Sequence, residues 1–332
     1  MHNKIYDIMK KYIVENYKFL ICIIIILMFF YIEFPYIIYK SGGLVDLGNR
    51  VETELDYDSK GSLSMSYVSV IKGAPAFILL SFILPDWDLK SIEEEYGDTS
   101  YDDVIASGKE YMNEGIDNAI ISAFNESNYY VKINKTTISV GNVLNDSDND
   151  LKIGDEILSI DDKQINNQND IKKLLANYKE NDKVIIKVKN NDKEYTRYAR
   201  LMKIEDGLKL GIIITYKYDY ETEIPVKIKT KDNESGSSGG LMMALAIYDS
   251  LTKEDITNGL NIVGTGTIDP SGNVGAIDGV KYKLLGAEKK DADIFFVPKE
   301  NYEEAMKVKK KRNLKVKVVK VNTLKEAINY LK

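Results

Sequence analysis

The sequence predicts an α+β chain of several modules: an N-terminal transmembrane helix, a small β domain in the middle, and an α+β domain at the C-terminus. Three observations predict it. An apolar run near the N-terminus is long enough to cross a bilayer. Residues 128 to 202 read as short strands around one short helix. The last third alternates strand-like runs with apolar-striped helices. A length of 332 residues suits an anchor plus two or three modules.

Residues Phe19 to Ile32 are apolar apart from Cys22 and Tyr31, and extension to Ile38 admits only Glu33, Pro35 and Tyr36 as exceptions. The span 19–38 has 20 residues, and roughly 20 helical residues cross a bilayer core. Lys4, Lys10, Lys11 and Lys18 precede it, whereas only Lys40 and Arg50 follow closely. That excess predicts a cytoplasmic segment 1–18, a single-pass anchor at the cell membrane, and an extracytoplasmic body. A signal peptide cleaved near Ser41–Gly43 and a buried core helix are the other readings of the same run.

The region 39–127 reads as strands over 44–85, then an acidic stretch and a helix. In that helix Met112, Ile116, Ala119, Ile120 and Ala123 form one apolar stripe, which reads as packing, with no chemistry assigned.

Composition excludes several chemistries. The one cysteine is Cys22 and the one histidine is His2, both N-terminal. No disulfide within the chain, thiolate cluster or His-rich catalytic metal site can form, so neither a metal nor a cofactor is expected. A Ser–His–Asp or Cys–His mechanism has no base in the body of the chain. The net charge is −6 with acids and bases interspersed, and no basic stripe marks a nucleic-acid partner. The lysine-rich run from Lys307 to Lys320 ends in alternating Lys and Val, a strand with one solvated face.

In the middle, Leu151-Lys152-Ile153-Gly154-Asp155-Glu156-Ile157-Leu158-Ser159-Ile160 is a turn feeding a strand, with Gly154 permitting the turn. A short helix follows at 168–178 with Ile171, Leu174 and Leu175 inward, and then two strands joined by an Asn-Asn-Asp turn. The stretch LKIGDEILSID and the strand–helix–strand order after it resemble a PDZ domain over about 128–202. The resemblance implies a groove that adds an extended peptide to a sheet edge. The groove residues are not assigned from sequence.

In the C-terminal third, Lys231 to Gly240 (KDNESGSSGG) is a small, polar lead into the apolar helix LMMALAIYDSL. Unpaired N–H groups at such a helix start can hold an oxyanion beside a serine. From the residues alone, a plain helix cap reads the same way. Further on, Val280, Lys283, Leu284 and Ala287 share one helix face, while Lys281 lies on the other side with Glu288. Lys283 is therefore the lysine expected to be desolvated, and desolvation lowers an amine pKa. A lysine snorkelling at the edge of the stripe is the plain alternative.

The landmarks DNESGSSGGLMMAL, GTGTIDPSGNVGAIDGVKYKLLGA and ADIFFVP resemble the Lon-type peptidase domain. The order of anchor, PDZ domain and Lon-type domain (203–332) resembles the bacterial PDZ-containing Lon-like serine peptidases of the YlbL/SepM type. The family motif G-P-S-A-G places a nucleophile at Ser238, and G-G-φ-x-x-K, with φ apolar, places a general base at Lys283. The two are 45 positions apart. The resemblance also implies an auxiliary hydroxyl at Thr265. The backbone N–H groups of Gly239 and Gly240 are expected to form the oxyanion hole.

This chain departs from the pattern at Ser237 for Pro, Gly239 for Ala and Asp278 for the first Gly of the pair. Ser235 stands where some members carry an acid. No Walker A motif occurs, so the resemblance implies ATP-independent cleavage of exported peptides or membrane-adjacent proteins, with the PDZ domain capturing substrate. It also implies assembly as a homo-oligomer. A catalytically silent envelope protein that binds peptides through its PDZ domain is the alternative.

Overall fold

The computed structural model describes residues 2–55, 57, 59–204 and 207–332; Met1, Asp56, Asp58, Glu205 and Asp206, and the side chains of His2, Asn3, Lys4, Asp7 and Ile8, lie outside the described residues. The chain divides into two compact units, one of residues 1–41 and 68–97, the other of residues 42–67 and 98–332. The first elements in chain order are α1 (His2–Tyr31), β1 (Phe34–Asp46), β2 (Val51–Thr53), β3 (Ser62–Gly73), α2 (Pro75–Ile83), β4 (Asp88–Ser91) and α3 (Ile92–Tyr96).

In the first unit, α1 holds a 23-residue stretch, Met9–Tyr31, long and apolar enough to cross a membrane, with none of its most apolar window buried. This helix lies earlier than the expected 19–38. It ends at Tyr31, and Phe34 already opens β1. Pro35 cannot donate a helical hydrogen bond and disfavours helix in the residue before it. The apolar residues Ile37 and Ile38 beyond it are buried strand, paired antiparallel with Lys90 and Leu89 of β4. Strands were expected through residue 85, but β3 stops at Gly73 and Pro75 opens α2. A short all-apolar run does not reveal its period, and proline in the first turn favours the helix.

The second unit holds β2 and the start of β3 and, after residue 97, continues with α4 (Tyr101–Glu126), capped by Ser100, whose side chain accepts from the Asp103 N–H. Next come β5 (Val131–Val143), β6 (Glu156–Ile160), β7 (Lys163–Gln164), α5 (Gln168–Leu175), β8 (Lys183–Asn190), β9 (Lys193–Arg200), β10 (Met202–Ile204), β11 (Gly207–Lys209) and β12 (Ile212–Thr222). The sheet order is β12-β5-β6-β8-β9, with β7 paired to β6. Strand β8 buries Val184, Ile186 and Val188 alternately, the period of a half-buried strand. Ile171, Leu174 and Leu175 of α5 close the same core, and a capping box of Asn167 and Asp170 starts that helix. Asp155 of the LKIGDEILSI stretch is fully buried. Its carboxylate accepts from Arg197 Nε at 3.1 Å, Asn190 Nδ2 at 2.8 Å and the Lys152 N–H at 2.9 Å. Strand β12 pairs with β5 along its whole length, so this sheet continues past the boundary expected at residue 202.

The remaining elements are β13 (Val226–Ile228), α6 (Gly240–Leu251), β14 (Asn261–Gly264), β15 (Thr267–Ile268), β16 (Val274–Gly275), α7 (Val280–Glu288), β17 (Ile294–Pro298), α8 (Lys299–Arg312), β18 (Lys317–Val321) and α9 (Leu324–Leu331). Strands β3, β14, β17 and β18 run parallel as neighbours. Every residue of β17 is buried, as expected of a parallel strand covered on both faces. Helix α6 is buried nearly all round, with Leu241, Met242, Leu245 and Ile247 fully enclosed. The unit's large core joins α6 to α4, β14 and α9.

Candidate active site

The loop before α6 is held from both sides. Arg50 forms a two-pronged pair with Glu234, Nη2 to Oε1 at 2.8 Å and Nη1 to Oε2 at 3.2 Å, and Nη1 also donates to the Lys229 carbonyl at 2.9 Å. The second Glu234 oxygen accepts from the Lys231 N–H at 2.8 Å. On the other side, α4 offers two glycines. Gly236 N–H donates to the Gly108 carbonyl at 2.7 Å. A Cβ at Gly108 would meet Ser235 at 2.9 Å, and one at Gly115 would meet Ser237 Cα at 3.2 Å. The helix that sequence assigned to packing alone is thus a seat for the serine loop. Its signal was present as small residues seven apart, but a helix stripe is read by its apolar members. Arg50 and Glu234 had no local signal, because 184 positions separate them.

Ser238 is half-buried one residue before the buried Gly239. Its backbone carbonyl accepts from Gly266 N–H at 2.8 Å and from the Thr265 hydroxyl at 3.0 Å. Thr265 is fully buried, and its oxygen receives a hydrogen bond from Lys283 Nζ at 3.1 Å. A hydroxyl has one proton, and it goes to Ser238, so the lysine must be the donor to threonine. The chain Lys283–Thr265–Ser238 is therefore continuous, and it fixes the direction of the amine.

Helix α7 sets the lysine's environment. Val280, Leu284 and Ala287 are fully buried and Lys283 is 3% exposed, whereas Lys281 is half-buried with its amine over the Tyr282 ring. Among the described residues, Thr265 is the hydrogen-bond partner of the Lys283 amine, and no carboxylate pairs with it. Burial pulls its pKa down from 10.5 to about 8, against the opposing pull of the Asp278 carboxylate. A buried amine with its charge disfavoured is able to accept a proton near neutral pH.

The two expected oxyanion donors differ. Gly240 N–H donates to the Ser237 carbonyl at 3.0 Å, while no hydrogen bond of the Gly239 N–H is found among the described residues. Gly239 itself has φ −90°, open to any residue, but a Cβ there would lie 2.4 Å from Met65 Sδ. Met65 occupies the space of the alanine methyl that the family pattern carries. No group of three or more His, Cys, Asp or Glu side chains suited to a metal ion occurs among the described residues.

A second concavity lies on the β12 sheet. A cleft of about 360 Å³ is lined by Ile171, Lys172 and Leu175 of α5 and by Leu208, Leu210, Ile212 and Ile214 of the β11–β12 segment. Strand β12 ends the sheet order, and Ile212, Ile213 and Ile214 at its start line this cleft. The sequence leaves these groove residues unassigned, and most of them fall after residue 202.

Residues 216–331 match the family model of the Lon protease (S16) C-terminal proteolytic domain, and residues 125–198 match that of the PDZ domain. A Lon protease of Aster yellows witches'-broom phytoplasma is 27% identical over 96 residues, covering 29% of this chain and 12% of that protein. A Lon protease of Clostridioides difficile is 42% identical over 67 residues, covering 20% and 8%. The chain thus spans about a tenth of the length of the curated relatives it matches. A solved PDZ domain, that of an SdrC-like protein from Listeria monocytogenes, is 23% identical with a TM-score of 0.22, covering 26% of this chain and 92% of that one. The chain carries a PDZ domain followed by a Lon-type proteolytic domain, a content that supports a serine peptidase.

Proposed function

We propose that this chain is a membrane-anchored, ATP-independent serine endopeptidase with Ser238 as nucleophile and Lys283 as general base. The observation that carries the reading is the Lys283 amine. It is buried, unpaired with any carboxylate among the described residues, and hydrogen-bonded through Thr265 to the serine's own backbone.

In this reading the neutral amine takes the Ser238 proton as Oγ attacks the scissile carbonyl carbon. The Gly239 N–H faces the developing oxyanion; in other enzymes one such donor lowers the barrier by about 3 kcal/mol. The Lys283 ammonium then protonates the leaving amine as the C–N bond breaks, leaving an acyl-enzyme. Water attacks the ester, Lys283 takes its proton, and the proton returns to Ser238 as the ester bond breaks. Thr265 keeps the amine aimed throughout, which makes it a positioning residue.

The PDZ groove would bind an extended segment of substrate along the β12 edge, with its apolar side chains over Leu175 and Leu210. The Met9–Tyr31 helix would anchor the chain, with the lysine-bearing N-terminal end of α1 (Lys4, Lys10, Lys11 and Lys18) on the cytoplasmic side and the body outside. The substrates would then be exported peptides or proteins at the membrane.

The test is cleavage of unfolded proteins and secreted peptides by the full chain in detergent, without ATP. Ser238→Ala and Lys283→Ala should each lower kcat by about 10³-fold or more. Lys281→Ala and Ser237→Ala should keep most activity. A fluorophosphonate probe should label the wild type and Ser237→Ala but not Ser238→Ala. Turnover that survives Ser238→Ala refutes the assignment. Groove binding of peptides without turnover or labelling in the wild type would instead favour the silent peptide-binding protein.

A further inference from the structure

The first unit holds a second apolar helix besides α1. Helix α2 reads Pro-Ala-Phe-Ile-Leu-Leu-Ser-Phe-Ile, and its one polar side chain, Ser81, donates back to the Ile78 carbonyl at 2.7 Å. Leu79 is 54% exposed, Leu80 38%, and Phe82 and Ile83 75% each. A soluble surface helix shows one apolar stripe and one polar face; a helix that is apolar all round belongs in a core or a membrane.

Three observations say which. First, α2 is continuous with the anchor: Phe77 meets Phe30 edge-on with ring centres 6.4 Å apart. Second, an open apolar cleft of about 480 Å³ between the two helices is lined by Ile26, Leu27, Phe30, Tyr31 and Phe77, a shape suited to an acyl chain. Third, the ends of α2 carry the residues of a membrane–water boundary. Lys72 precedes it and pairs with Glu33 at 2.7 Å, and Trp87 follows it with the Lys40 amine 5.3 Å from its ring. Aromatic rings and lysines mark headgroup level.

We propose that α2 is a second membrane element, sunk into the leaflet from which α1 emerges, with Phe82 and Ile83 among the acyl chains and Trp87 at the headgroups. Nine residues of helix are about 13 Å long, against roughly 30 Å of hydrocarbon, so α2 enters one leaflet and does not cross. The partner is the lipid bilayer itself. The inference rests on the reading of α1 as a membrane anchor.

The test uses the full chain in vesicles of phosphatidylcholine and phosphatidylglycerol, with and without brominated acyl chains. Trp87 is the only tryptophan, so its emission is a native reporter. Brominated lipid should quench wild-type emission at least 2-fold. Phe82→Trp in a Trp87→Phe background should be quenched more strongly still, with bromine deep in the chain. Phe82→Ser with Ile83→Ser should at least halve Trp87 quenching while the protein stays in the membrane after carbonate washing. Retention of the wild type after washing, with no quenching at either tryptophan position, overturns the proposal and leaves the anchor intact. Loss of the wild type on washing overturns the anchor reading and the proposal with it. An unquenched α2 whose Ser variants abolish cross-linking between copies would make it a protein interface and equally overturn the proposal.

Discussion

Asp155 in the PDZ domain and Lys283 in the proteolytic domain are both buried charge-bearing side chains, and their surroundings treat them in opposite ways. Asp155 is fully enclosed, and Arg197, Asn190 and a backbone N–H satisfy its oxygens. Lys283 is almost as deeply enclosed, but its described partner is one neutral hydroxyl. The carboxylate is finished structure: its surroundings are built for the ion. The amine is left poised, because its surroundings favour the form without charge. A buried ion surrounded by partners fits a scaffold, and a buried amine without them fits the base of the proposed reaction.

The strongest way to break that comparison is to remove each group. Asp155→Ala should destabilise the PDZ domain by about 3–5 kcal/mol, because Arg197 is left half-buried without its partner. Hydrogen exchange of the β8 and β9 amides is the readout, and unchanged protection would show that the pair is not needed. Lys283→Met should do the reverse at pH 7, stabilising the proteolytic domain by about 2 kcal/mol while abolishing cleavage.

The sign follows from the lowered pKa. Between about 8 and 10.5 the unfolded chain binds a proton that the folded chain does not. Wild-type stability therefore rises with pH through that window. The advantage of Lys283→Met should be greatest below pH 8 and fade towards pH 10.5. A variant less stable than wild type at pH 7 would mean that the lysine is not a strained base.

A smaller effect sharpens the picture on the serine side. Gly239→Ala brings a methyl against Met65 Sδ, the movable end of a flexible side chain. It should cost about 1 kcal/mol in stability and lower kcat about 10-fold by shifting the loop. Met65→Ala alone should change kcat little, and the double variant should recover most of what Gly239→Ala loses. Independent effects in this double-mutant cycle would show that Met65 does not fill the alanine's place.

Much of this was legible in sequence where one segment carries the whole signal. The apolar stripe of α7 separates Lys283 from Lys281, and helical phase needs only a few residues. The inward positions of α5 and the turn at Gly154 are likewise local. The features that sequence left unread join distant segments. Gly108 and Gly115 seat a loop about 120 positions away, Arg50 grips Glu234, and the edge strand of the PDZ sheet runs into the residues that match the proteolytic domain. Helix α2 was misread as strand because an all-apolar run carries no period. The apolar N-terminal helix was expected too late because apolarity alone was counted across Pro35, which helix does not tolerate.

Asp278 tests the poise of the amine most finely. It stands where the family pattern has glycine, and its charge raises the Lys283 pKa against burial. With the pKa at about 8, only about a tenth of the lysine is neutral at pH 7. Cleavage should therefore climb with pH and level off above about 8. Asp278→Asn removes the negative charge and keeps the shape, so the ammonium loses the electrostatic support of that carboxylate. The pKa should fall, and the rising limb of kcat/KM should move to lower pH by a few tenths of a unit. Activity at pH 6 should rise up to about 3-fold, while the plateau stays where it is. The same substitution should leave Asp155→Ala unaffected, since the two sites share no partner. A limb that does not move would show that Asp278 is screened from the amine by solvent; a limb that moves to higher pH would mean that the titrating group gains its proton-free form in some other way, and that Lys283 is not the base.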